Sequence, residues 1–104
     1  MKLQETKIEY RNILEVTIKE TVAIEQRFPQ LPLYSSILNQ LLAIEREIVL
    51  NEQFYTKEMI MDKFSLGAIA VNNFDSDNDP YAEKLMYIFG LSYKYLNLPE
   101  DSSH

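Results

Sequence analysis

A chain of 104 residues, 46% of them hydrophobic, is sized for one domain around a single core, and having no cysteine it excludes disulfide frameworks, thiolate metal sites and cysteine nucleophiles. Sixteen acids against ten bases give a formal charge of -6, which repels phosphate backbones and anionic lipid and favours a basic protein surface as partner. The one histidine, His104, sits in a patternless tail, so the commonest general base and zinc ligand is missing from the folded part.

The opening residues mix charge with apolar side chains and hold no apolar segment long enough for a signal peptide. No run approaches the roughly 20 apolar residues of a membrane span, and the expected location is the cytoplasm. Tyr10, Leu14, Thr17, Thr21, Ile24 and Phe28 then recur at spacings of three and four with no Gly or Pro between them, which predicts an amphipathic helix over 3–28. Glu15 and Lys19 stand four apart in the favourable order on its exposed face. Pro29 and Pro32 end that helix and start the next, because proline lacks the amide donor and suits the first helical position.

Tyr34, Ile37, Leu41, Ile44 and Ile48 form the stripe of a second helix over 32–51, widened by Leu38, Leu42 and Val49. Thr56 is placed to cap a short helix over 56–64. The small apolar stretch Leu66-Gly67-Ala68-Ile69-Ala70-Val71 reads as its buried helical continuation, since a lone strand would leave its backbone unpaired, and Gly67 marks a close helix contact. Asn72 to Asp79 is the most polar part of the chain, a turn rich in capping residues. Asp79-Pro80 predicts the start of a last helix over 80–97, with Tyr81, Leu85, Ile88, Ser92 and Tyr95 inward and Gly90 against a neighbour. The expectation is an all-α antiparallel bundle of four main helices with a short buried helical segment: one domain over 1–97, then a disordered tail over 98–104.

Catalytic candidates are sparse. The acid pairs Glu5/Glu9 and Glu45/Glu47 read as solvated helix faces, and two glycines in the whole chain leave no phosphate-binding loop. Asp75-Ser76-Asp77-Asn78-Asp79 imitates the start of a calcium-binding loop, but Pro80 stands where the sharp turn needs glycine and Met86 where a bidentate glutamate is needed. No catalytic residue, cofactor or metal site is therefore expected. Tyrosine is abundant, and Tyr87 and Tyr93 fall off the inward stripe, where tyrosines serve interfaces.

The segment from Phe64 to Leu96 carries a resemblance. Its Leu66-Gly67-Ala68-Ile69-Ala70-Val71 run, followed by Phe74-Asp75, Asp79-Pro80 and an aromatic amphipathic helix, resembles the small helical immunity proteins that protect bacteria from a type VI secretion effector with NAD(P)+ glycohydrolase activity. Asn72-Asn73 replaces a Lys-Glu pair usual in that family, a change at the surface where such proteins diverge to fit their toxins. The resemblance implies a non-enzymatic cytoplasmic inhibitor that docks on a cognate toxin domain and covers its active site, with neither nucleic acid nor membrane as partner. The toxin-facing residues are expected at Asn72, Asn73, Asp75, Asp77 and Asp79, with Tyr81 or Tyr87 as aromatic anchors. A helical adaptor or regulatory subunit of an unrelated complex is the alternative the composition leaves open.

Overall fold

The computed structural model describes residues 3–75 and 77–101, so Ser76 of the acidic turn and the tail residues 102–104, His104 among them, lie outside the described part. Its helices are α1 (Lys7–Arg27), α2 (Pro32–Ile44), α3 (Lys57–Lys63), α4 (Leu66–Asn73) and α5 (Pro80–Leu91), with a π-helical turn Glu45–Leu50 extending α2 and a 3-10 turn at Tyr95–Asn97. The all-helical class is as expected.

Helix α1 begins where Thr6 turns extended and its hydroxyl accepts the Glu9 amide at 3.1 Å. Its expected stripe faces inward through Tyr10, Leu14, Thr17 and Thr21, which are buried, whereas Phe28 at the far end is exposed. The buried threonines donate their hydroxyls to carbonyls one turn back, Thr17 to Ile13 and Thr21 to Thr17, leaving neither polar group unpaired. Glu15 and Lys19 pair at 3.0 Å on the solvent side. In α2 the stripe Ile37, Leu41, Ile44 and Ile48 is fully buried and runs unbroken into the π-turn, where the Asn51 amide reaches back to the Arg46 carbonyl at 3.0 Å.

Two paired contacts fix how α1 and α5 run. Thr21 meets Tyr81 while Tyr10 meets Ser92, so rising numbers on one helix match falling numbers on the other and the helices are antiparallel. The start of α1, at Arg11 and Leu14, also lines one cleft with Val49 and Leu50 at the end of the α2 extension, which makes that pair antiparallel too. Tyr81, Leu85, Ile88, Ser92 and Tyr95 are all buried, as the spacing predicted.

Several expectations change. The helix foreseen over 56–64 with a buried continuation is two helices. Phe64 turns extended at φ -124, ψ 146, and the Gln40 side chain holds the break: its Oε1 accepts the Ser65 amide at 2.7 Å and its Nε2 donates to the Ser65 hydroxyl at 3.0 Å. Within α4 only Leu66, Gly67 and Ala70 are buried, while Ala68 and Val71 face outward, so the segment is an amphipathic helix lying on α5. Helix α5 ends at Leu91, short of the expected 97, and its last stretch tightens into the 3-10 turn. Gly90 touches no neighbouring helix: a Cβ there would meet nothing within 4 Å.

The residues after the 3-10 turn, expected to fray, are tied down as far as Glu100. The Lys7 and Ile8 amides, which a helix start leaves without partners, donate to the carbonyls of Pro99 at 2.8 Å and Glu100 at 3.0 Å. The Glu100 carboxylate also meets Arg11 at 2.7 Å.

Candidate partner-binding surface

The polar connection between α4 and α5 is held in place from inside. Phe74, partly buried, sets its ring edge-on against Tyr81 with centroids 5.5 Å apart and lies 6.3 Å from the Tyr34 ring. With Phe74 seated, the chain beyond it must loop over the surface. Asp75 shapes that loop: its carboxylate accepts the Asp77 amide at 3.3 Å and the Asn78 side-chain amide at 2.9 Å, and its carbonyl accepts the amides of Asn78 and Asp79. The bond from Asn78 holds the Asp75 carboxyl below the usual carboxylate range. Asp79 caps α5, accepting the Tyr81 amide at 2.9 Å as the Asp-Pro pair predicted.

The acidic candidates are thus brought together on one exposed turn, with unequal employment. Asp75 and Asp79 both serve the loop's own geometry. Asp77 is exposed and has no side-chain partner among the described residues. Asn72 and Asn73 lie on the exposed last turn of α4, where the Asn73 side chain donates back to the Ile69 carbonyl at 3.1 Å.

The two aromatic candidates sit elsewhere. Tyr81 is buried at 8% exposure, its hydroxyl 2.7 Å from that of Thr21, so it supports the loop from beneath and offers no ring to a partner. Burial pushes its hydroxyl up to about 12. Tyr87 donates its hydroxyl to the Gln4 carbonyl and leans on the Tyr10 ring at 6.0 Å. Since Tyr10 and Thr21 stand about 16 Å apart along α1, Tyr87 lies well away from the acidic turn. Tyr93, the other off-stripe tyrosine, is half-buried.

Beside the acidic turn is a surface feature that the periodicity did not isolate. Met61 and Phe64, Gly67, Ala68, Val71 and Asn72, and Met86 and Phe89 line an open cleft of about 520 Å³ where α3, α4 and α5 meet. Of these, Met61 and Val71 are 61% and 57% exposed, far from the burial such side chains prefer. Val71 belongs to the stretch expected to be buried, and nothing in chain order links Met61 to Met86; only the fold shows that the three converge.

Among the described residues no group of three or more acidic or histidine side chains converges as a metal site would, and no helix is long and apolar enough to cross a membrane. No curated protein and no solved structure matches the chain. A family model does, that of Tsi6, over residues 9–94, which takes in α1 from Glu9 onward, α2 to α5 and the acidic turn. With most of its length matched, the chain belongs to the Tsi6 family, a family of type VI secretion immunity proteins.

Proposed function

We propose that this protein is the cytoplasmic antidote to one secreted antibacterial toxin, binding the toxin domain and blocking its active site without performing chemistry itself. The observation that carries the reading is the family match over residues 9–94. The toxin domain is an NAD(P)+ glycohydrolase-like enzyme, in keeping with the sequence resemblance, and its active-site surface is basic. A charge of -6 supports this pairing, because long-range attraction to a basic cleft speeds association and favours the right partner.

On this reading the exposed acidic turn takes part in recognition through Asn72, Asn73, Asp75 and Asp77. Asp79 and Tyr81 hold the turn from below. Tyr87, being remote, belongs to the recognition surface only if the toxin also reaches the opposite end of α1.

The test is co-expression and co-purification with the toxin domain encoded by the neighbouring gene, followed by its NAD+ hydrolysis with and without the antidote. A stoichiometric complex lacking hydrolysis is expected. An intact complex that still hydrolyses NAD+ would refute active-site blocking. Absence of any complex would refute the pairing.

A further inference from the structure

Gly90 has no structural reason to be glycine. It sits inside α5, where glycine is disfavoured relative to alanine, its backbone is ordinarily helical, and a Cβ would meet open space. Its surroundings supply a different reason. Gly90 lines a second cleft of about 200 Å³ with Lys57, Ile60, Met61, Phe89 and Tyr93, and that cleft shares Met61 and Phe89 with the larger one beside the acidic turn. The two form one apolar trough along the α3 and α4 side of α5. It is flanked by flexible, polarisable methionines, Met61 and Met86, and its far end meets Asn72, next to the exposed carboxylates of Asp75 and Asp77.

We propose that this trough is the main binding groove for the cognate toxin domain, taking an apolar segment whose backbone passes over Gly90 and whose basic flank reaches Asp75 and Asp77. The proposal rests on the reading of the chain as a toxin-binding immunity protein. An apolar floor that ends at Asn72, beside the acidic turn, fits a segment that is apolar along its length and positively charged where it leaves the groove. A second copy of this chain fits poorly, because self-pairing brings two bodies of charge -6 and two acidic turns together.

Gly90→Gln provides a test that separates binding from folding. Glutamine is the better helix former and has room, so the variant should melt at or above the parent temperature. Its side chain should nonetheless obstruct the groove and weaken binding to the purified toxin domain at least tenfold by calorimetry. Val71→Asp, at an exposed position, should weaken it similarly with little change in melting. Sedimentation of the antidote alone monitors self-association.

If the parent binds and both variants bind as the parent does, the groove proposal is overturned while the immunity reading stands. If the parent self-associates and Gly90→Gln abolishes only that, the occupant is a second copy and the proposal is likewise overturned. If the parent fails to bind the toxin domain at all, both readings fall together.

Discussion

The Tyr81 hydroxyl lies 2.7 Å from Thr21 Oγ1, and because Thr21 donates its own proton to the Thr17 carbonyl, Tyr81 is the donor of that pair. One buried hydrogen bond thereby joins the C-terminal half of α1 to the residue beneath the acidic turn. Tyr81→Phe should cost about 1 kcal/mol of stability, the usual net worth of such a bond, and leave toxin affinity at neutral pH within about twofold of the parent. Thermal melting and calorimetry check the two halves. A large loss of affinity without a loss of stability would put Tyr81 back on the recognition surface.

Alkali should unfold the protein in a defined window. Burial raises the hydroxyls of Tyr81 and Tyr87 to about 12 from an ordinary 10.0, and raises that of Tyr10 as well. A folded pKa above the unfolded one means a contribution fully present below pH 10 and lost as pH rises toward 12. Ultraviolet titration should show Tyr10, Tyr81 and Tyr87 ionising late, together with loss of helical circular dichroism. Ionisation of these three near pH 10 with helicity intact would contradict their burial.

Acid acts through Glu47. Its carboxylate accepts the Tyr55 hydroxyl, Lys63 at 3.2 Å and Arg46 at 3.1 Å, tying the loop after the π-turn to α3. The Tyr55 bond leads in holding its pKa below 4.5, with Lys63 and Arg46 adding to it. A depressed folded pKa gives stability that is present above the unfolded value and lost as pH falls through the folded one. Glu47→Gln should therefore be less stable than the parent at neutral pH, and the gap should close well below pH 4.5, as denaturant titrations at both conditions would show.

Exchanging charge for amide at the turn tests recognition directly. Asp75→Asn with Asp77→Asn should leave melting nearly unchanged, since asparagine supports the same turns and caps. Affinity for the toxin domain should drop at low salt and converge with the parent's at high salt, where exposed charges are screened. Equal affinities at both salt concentrations would remove the acidic turn from the interface.

Gly67 and Phe89 make the tightest inter-helix approach involving a glycine. A Cβ at position 67 would stand 2.9 Å from two ring carbons of Phe89. Gly67→Leu should cost about 1 to 3 kcal/mol, and a second change, Phe89→Ala, should recover part of it by vacating the space. Melting of the single and double variants checks this.

What could be read from the sequence was whatever depended on neighbours in the chain. Thr56 and Asp79 cap the helices expected of them, Pro32 and Pro80 open theirs, and the α5 stripe is buried throughout, because caps and periodicity are local. Misses came where a distant residue decided the outcome. Gln40 ends the third helix by bonding Ser65 from across the fold, and Gly90 faces space because the α3 side of α5 leaves a trough. For the site, sequence placed the acidic turn but could not show that Met61, Val71 and Met86 meet beside it.

The bonds from Lys7 and Ile8 to Pro99 and Glu100 also have a temporal meaning. Arg11 and Glu100 are 89 residues apart, and at ordinary rates of synthesis a ribosome takes roughly 4 to 18 s to pass from one to the other. Throughout that interval α1 lacks the acceptors for its first amides, and Ser92, the partner of Tyr10, is made only near its end. A translation arrest before residue 99 would therefore leave chains whose first helix can pack on α2 and α5 but whose leading amides have no acceptors.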